Sequence, residues 1–389
     1  MEFCRIYCTL LQKDRKGGAI EMKKMLVGFI MDGNGGGVDK YLLNFLENTA
    51  GEEVEIDFLT NEIDADLEEY LKKYHSRIFA IANLKHPITQ YRQVCRIIKE
   101  QKYDMVYLNI STAIDCIAAL AAKSCKVKRI MIHSHSSGND CENHIKRMIF
   151  NGIHRICRTF LYRIATEYYG CSKKAGVWLF PKKIVESNRF QTIFNAVDLE
   201  KYTYNEELRK QVRKELNLED KFVVGHVGNF SYPKNHYFLI DIFEKLKAKC
   251  PESVLVLAGQ GERLEMVKNI VKDRGMEDSV RILGFRKDVN RLFQGMDFFV
   301  LPSYFEGLPT VSIEAQCTGL PCLMSENVTQ EAAITGNCWF LPLHDTPEKW
   351  ADFILQHRNM DRTSVSWIEK TKKYSLEDLK EQQIQLIRG

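Results

Sequence analysis

The sequence predicts an α/β protein made of two doubly wound, parallel-sheet domains in tandem. Three observations lead there. The chain has 389 residues, too many for one ordinary domain and comfortable for two. From Lys24 onward short apolar runs alternate with helical periodicity, and the same alternation starts afresh after Asn195. The composition is globular, at 45% hydrophobic and 27% charged residues, which excludes disordered, collagen-like and coiled-coil chains.

Element by element, Met25–Met31 reads as a buried strand. A helix over Val38–Asn48 follows, with Tyr41, Leu42, Phe45 and Leu46 on one face. Val54, Ile56 and Phe58 alternate with acids as a half-buried strand does. Pro87 suits the first turn of a helix running to Glu100. Strands at Met105–Ile110 and Arg129–His133 flank an Ala-rich helix, Ala113–Ala122. After Asn195 the predicted strands are Phe222–Val227, Val254–Ala258, Val280–Leu283, Phe298–Leu301 and Cys322–Ser325. The helices between them are Asn235–Lys249, Gly261–Arg274 and Thr310–Cys317. Such βαβα alternation implies parallel sheets with covered faces and ligands at the carboxyl ends of the strands.

No window offers eighteen uninterrupted apolar residues; the best, Met105 to Ala122, contains Asp115. The 12 cysteines are scattered, without a C-x-x-C pair, and read as free thiols of a reducing cytosol. Net charge is +4, but residues 101–199 alone hold 15 basic and 7 acidic residues. That excess points to an anionic partner, and no nucleic-acid motif accompanies it. Residues 1–22 fit no signal peptide and are expected to be a loosely attached, dispensable extension.

Several motifs carry chemistry. The loop from Asp32 to Val38 is glycine-rich but fits neither a dinucleotide fingerprint nor a Walker loop. Asp64-Ala65-Asp66 has the D-x-D form of metal sites, yet reads better as a solvated helix start. His133 and His135 end a strand and share a face, where imidazole can act on a substrate oxygen. The stretch Pro302 to Ala315 is the most informative. It runs from a strand end through a Gly-Pro turn into a helix, whose free amides from Gly307 to Val311 would cradle a phosphate. Glu306 precedes the turn, and Glu314, about a turn into the helix, can reach vicinal hydroxyls.

With seven residues between Glu306 and Glu314, this stretch resembles the donor site of family 4 retaining glycosyltransferases of GT-B fold. Further pieces agree: Cys171 to Ala175, Phe194 to Asp198, Gly225 to Phe230 with Lys234 to His236, Gly259 to Glu262, and Leu283 to Phe285. The resemblance covers nearly the whole chain after about residue 24 and is closest to bacterial capsular and exopolysaccharide transferases. It implies an acceptor-binding domain over residues 23–195, a nucleotide-sugar domain over 196–374, and a terminal helix near 375–389 returning to the first. It also implies roles. Glu314 would hold the ribose of a UDP-type nucleotide sugar, and Glu306 the donor sugar. Lys234, helped by the turn of Gly307, Leu308, Pro309 and Thr310 and its free amides, would neutralise the diphosphate. Gly284 and Phe285 would read the base, Gly36 and Gly37 close from the other domain, and His135 act there with His133 in reserve. Neither a metal nor a cofactor is expected.

One departure stands out. Where the family pattern places an arginine, this chain has Asn229, which removes a cation from the diphosphate site; Arg286 is the candidate replacement. The acceptor, a glycan or lipid-linked oligosaccharide, is less legible. Residues 143–164 hold no acid and carry the stripe Ile145, Ile149, Ile153, Ile156, Phe160 and Ile164 among Lys146, Arg147, Arg155, Arg158 and Arg163. This is either a core helix with a basic flank or a surface for an anionic membrane. The leading expectation is therefore a cytoplasmic glycosyltransferase, peripheral at the inner membrane face, in cell-surface polysaccharide assembly. The alternatives are an epimerase or phosphorylase on the same fold, and a degenerate partner subunit.

Overall fold

The computed structural model describes residues 22–31, 36–363 and 371–389. The N-terminal extension over 1–21 and the glycines at 33 and 35 lie outside the described residues. In the first domain seven strands form one sheet: β1 (Lys23–Gly28), β2 (Val54–Thr60), β3 (Ile78–Ala80), β4 (Met105–Ile110), β5 (Arg129–Ser134), β6 (Glu167–Gly170) and β7 (Phe190–Thr192). Their order is β3-β2-β1-β4-β5-β6-β7. Every pairing is parallel, with Val27 opposite both Phe58 and Tyr107. The second domain repeats the plan with β8 (Phe222–Val227), β9 (Ser253–Ala258), β10 (Val280–Ile282), β11 (Phe298–Leu301), β12 (Cys322–Ser325) and β13 (Cys338–Leu341), ordered β10-β9-β8-β11-β12-β13. The two doubly wound domains of the sequence reading are thus present.

Burial explains the strand sequences. β4, β9, β11 and β12 are buried along their whole length because helices cover both faces, so they read as unbroken apolar runs. In each sheet the chain reverses its winding beside the first strand, between β1 and β4 and between β8 and β11. Ligands of open α/β sheets bind at such switch points. The loops leaving β1 and β8 carry Gly36–Gly37 and Asn229–Lys234.

The helix Gly37–Thr49 buries Tyr41, Leu42, Phe45 and Leu46, the predicted face. On it lies the terminal helix Leu376–Arg388, capped by the Ser375 hydroxyl, which accepts from the Asp378 amide. Asn48 Nδ2 donates to Gln383 Oε1 at 2.8 Å, and the Arg129 guanidinium donates to the carbonyls of Leu386 and Ile387. The end of the chain is therefore held against the first domain.

Some expectations need correction. The Ala-rich helix is broken: Ala113–Cys116 is a 3-10 turn, and the α-helix proper is Ile117–Ser124. The helix expected from Gly261 starts at Leu264, because Gly261 sits at φ +147°. Most consequential is the helix His144–Ile164. It is not a core helix. Ile145, Ile149, Ile153, Ile156 and Phe160 are all exposed, and of the stripe only Ile164 is buried. The helix is held by its other side. His154 Nδ1 accepts from the Ala113 amide at 3.1 Å, Leu161 is buried, and Arg158 donates to the Val177 carbonyl at 2.6 Å.

Candidate active site

Two loops of the second domain build the charged centre. The chain leaving β8 makes a 3-10 turn, Tyr232–Lys234, and the chain leaving β11 runs through Ser303 to Glu306. The Tyr304 amide donates to the Pro233 carbonyl at 2.8 Å, and Asn235 Nδ2 donates to the Pro302 carbonyl at 3.1 Å, so the loops are fastened together. Between them Lys234 Nζ donates to Glu306 Oε1 at 2.7 Å, and Ser303 Oγ donates to the same oxygen at 2.7 Å. Lys234 and Glu306 side chains are only 16% and 13% exposed, which strengthens this pair relative to a surface one.

Asn229, on the same loop, is exposed. Arg286 is tied up elsewhere: it grips Asp288 with two bonds of 2.7 Å. As a substitute cation it would first have to leave that carboxylate. Gly284 is left-handed at φ +66°, its carbonyl accepts from the Gly259 amide at 2.8 Å, and Phe285 beside it is exposed.

The helix Thr310–Cys317 begins at Pro309 without a side-chain cap. One of the amides expected to face a phosphate is already used, because Thr310 N donates to the Leu308 carbonyl at 3.0 Å. Leu308 itself is buried in the core of the domain. Glu314 is 9% exposed, and burial pushes its carboxyl above the usual range. Lys40, from the first domain, and a hydrogen bond from the Tyr202 hydroxyl oppose that shift.

The first domain meets this site at the ends of β5 and β6. Ser137 Oγ donates to the Glu306 carbonyl, and Ser172 Oγ to the Gly307 carbonyl at 2.6 Å. The His133 and His135 rings lie with centroids 4.1 Å apart, tilted by 38°. His133 is fully buried, and its Nδ1 lies 2.7 Å from the Tyr107 hydroxyl, which lies 2.8 Å from that of Tyr41. His135 Nε2 lies 2.9 Å from Asn109 Oδ1. Since that oxygen only accepts, the proton belongs on Nε2, and the bare Nδ1 is a buried acceptor without a partner. Burial lowers the His135 pKa to about 3, so the ring is neutral. Gly36 is the extended residue before the helix Gly37–Thr49, and a β-carbon on Gly37 would lie 3.7 Å from Asn195 Nδ2.

His135 and Glu306 thus belong to facing surfaces, and Lys234 is bonded to Glu306. The sequence reading missed Asn109, Ser137, Tyr202 and Lys40. Ser172, Asn195 and Ser303 sat inside quoted motifs without being assigned a place. Asn109 is a polar residue in an otherwise apolar strand, a signal that was available. Nothing in the sequence marks Lys40 or Tyr202. Asp64 Oδ1 accepts from the Leu67 amide at 2.9 Å and caps the helix Ala65–Lys72. Among the described residues no group of three or more His, Cys, Asp or Glu is arranged to hold a metal.

Two Rossmann-like domains joined across a cleft that carries a lysine–carboxylate pair and an uncapped helix start define a protein of GT-B fold. Comparison with known proteins agrees. Residues 35–201 match the family model Glycosyltransferase Family 4, and residues 208–374 match Glycosyl transferases group 1. The chain belongs to this glycosyltransferase family and is a glycosyltransferase. It is 28% identical over 348 residues to EpsF of Bacillus subtilis, named as a glycosyltransferase, covering 87% of this chain and 88% of that one. It is 26% identical to the UDP-Gal:alpha-D-GlcNAc-diphosphoundecaprenol alpha-1,3-galactosyltransferase of Escherichia coli, covering 74% and 76%. Among solved structures, Anabaena Alr3699/HepE in complex with UDP and glucose superimposes with a TM-score of 0.73 at 16% identity, over 95% of this chain and 100% of that one.

Proposed function

We propose that the protein transfers a sugar from a UDP-sugar to a glycan or lipid-linked acceptor in polysaccharide biosynthesis, with retention of configuration and without a metal. The observation that carries this reading is the Lys234–Glu306–Ser303 cluster beside the start of the helix that bears Glu314. Glycosyl transfer needs the negative charge of the departing diphosphate stabilised as an oxocarbenium-like sugar forms. Lys234 supplies a cation and the Gly307 to Val311 turn a helix-end dipole. Glu314 takes the ribose hydroxyls, and His135 Nδ1 accepts from a donor-sugar hydroxyl. The departing phosphate oxygen takes the acceptor proton on the same face, which leaves Glu306 to bind the sugar rather than attack it. The names of the relatives support the substrate class: the E. coli enzyme is named for a UDP-galactose donor and a lipid diphosphate acceptor.

The exposed apolar face of His144–Ile164 supports a site of action at the cytoplasmic face of an anionic membrane, where such an acceptor resides. Among the described residues no helix is long and apolar enough to cross a membrane. The test is a thermal-shift screen of UDP-, GDP- and ADP-sugars, followed by transfer assays with EDTA. The reading expects stabilisation by UDP-sugars first and transfer that survives the chelator. Stabilisation by none, or an absolute need for manganese, would refute it.

A further inference from the structure

Lys234 and Glu306 each lie two residues beyond a tyrosine, and the two tyrosines meet. The Tyr232 and Tyr304 rings stack with centroids 4.8 Å apart and planes 23° apart. Tyr232 opens the turn Tyr232–Lys234, which has no side-chain cap and buries none of its three residues. A 3-10 turn that short holds its shape poorly by itself, so its place depends on what covers it.

The cover comes from the first domain. In the first turn of the helix His144–Ile164, Arg147 Nη1 donates to the carbonyls of Cys141 and Glu142 at 3.0 and 3.2 Å. Anchored in this way, its guanidinium lies 4.7 Å from the Tyr232 ring centroid. A second guanidinium, that of Arg263 on the loop after β9, lies 5.2 Å from the same centroid. The Arg263 side chain is only 7% exposed and is ion-paired with Glu142 of the first domain. Beside them a β-carbon on Gly138 would sit 2.4 Å from Phe305 Cγ, so the Phe305 ring rests directly on first-domain backbone. The first-domain side of all these contacts is residues 138–147. The other side is the two loops that carry Lys234 and Glu306, with Arg263 packed against Tyr232. A cation held on an aromatic face is attracted more strongly where water is kept away.

We propose that Arg147, Tyr232 and Tyr304 are positioning residues for transfer: the stacked tyrosines, capped by Arg147 and fastened by the Glu142–Arg263 pair, hold Lys234 and Glu306 in register while the first domain is docked. This rests on the sugar-transfer reading above and goes beyond it by tying domain closure to the charged centre. When the domains part, the cap leaves the Tyr232 ring and the turn bearing Lys234 loosens. The departing diphosphate then finds its cation in place only in the closed enzyme.

The experiment is hydrogen exchange by mass spectrometry on the full chain. It is run beside UDP calorimetry and UDP release from UDP-glucose, UDP-galactose and UDP-N-acetylglucosamine, with water as acceptor. Arg147→Ala should speed exchange about fivefold over residues 231–235 and 302–307, the size of one cation–π contact, and slow UDP release by a similar factor. UDP affinity should change far less, because Glu314 is untouched. Arg147→Lys, which keeps a cation for the ring, should restore both. On a Tyr232→Ala background the loss of Arg147 should cost nothing more, since the contact is already gone. Unchanged exchange in both loops overturns the proposal. So does an Arg147→Ala effect that persists in full without Tyr232, or one that spreads over the whole first domain with a lower melting temperature. Where release to water is too slow to read, loop exchange decides, and if Arg147→Ala fails to fold, the exposed Glu142→Gln is read at the same loops. Loops that respond in a chain that binds no UDP would uphold the link between the domains and sink the transfer reading alone.

Discussion

Gly307 lies so close to His135 that a β-carbon on it would sit 2.1 Å from the His135 carbonyl oxygen and 2.9 Å from Cys171 Sγ. The two domains touch backbone to backbone at the point where the donor turn faces the first-domain histidine. Only glycine permits that approach. Gly307→Ala should push the domains apart and lower transfer by at least about tenfold, since small misplacements at a reacting centre are costly. UDP binding should change far less. Steady-state kinetics beside calorimetry check this.

The Lys234–Glu306 pair makes a separate prediction. Lys234→Ala leaves a largely buried carboxylate with Ser303 alone, and breaking such a pair costs about 3–5 kcal/mol at full burial, somewhat less here. The melting temperature should fall. In Lys234→Ala with Glu306→Gln it should recover, because no unpaired charge remains, while turnover stays lost in both. Recovery of turnover in the double variant would contradict the assigned roles.

Asn229 offers a gain-of-function test. It is exposed on the Lys234 loop and has room for a longer side chain. Asn229→Arg should tighten UDP binding or raise turnover by about tenfold, the effect of one charge-assisted hydrogen bond. No gain, with Lys234→Ala inactive, would mean the site already compensates.

The buried histidines fix the direction of the pH dependence. Burial lowers His135 to about 3 and His226 to about 4 in the folded protein, against about 6.5 in an unfolded chain. Below pH 6.5 the unfolded chain therefore binds more protons than the folded one. Stability should drop as pH falls from about 6.5 toward 4, by about 1.4 kcal/mol per pH unit for each such histidine. The pH profile of transfer should show no step from histidine ionisation near 6.5. Thermal melts and rate profiles across that window test both points.

Most of the fold was legible because strands buried on both faces are continuous apolar runs: β4, β8, β11 and β12 match their predicted limits. The strands β3, β6, β7 and β13 were not: each is three or four residues long and, unlike the equally short β11 and β12, none is buried along its whole length. The helix His144–Ile164 was legible as a helix, but the sequence could not say which way its stripe faced. An exposed isoleucine row and a buried one have the same spacing. Within the site the conspicuous residues, Glu306, Glu314 and Lys234, sit in compact motifs. Asn109, Ser137 and Tyr202 reach the site from distant segments, and only the folded sheet brings them there.

The exposed helix His144–Ile164 makes membrane contact testable through its basic flank. Arg147 donates to the Cys141 carbonyl and covers the Tyr232 ring, and Arg158 holds the Val177 carbonyl, so both are structural. Lys146, Arg155 and Arg163 are the exposed basic flank. Arg155→Glu with Arg163→Glu should reduce co-sedimentation with anionic liposomes, most at low salt where screening is weak, without lowering the melting temperature. Unchanged sedimentation would exclude this face as the membrane contact.

The central claim is that the second domain holds a nucleotide sugar through Glu314. Isothermal titration of UDP into the wild-type protein and into Glu314→Ala tests it most directly. The wild type should bind UDP, more tightly as rising pH ionises the carboxyl that burial has raised. Glu314→Ala should bind at least about tenfold more weakly, for the loss of a charge-assisted bond to the ribose. Equal affinity in the two proteins would contradict the account.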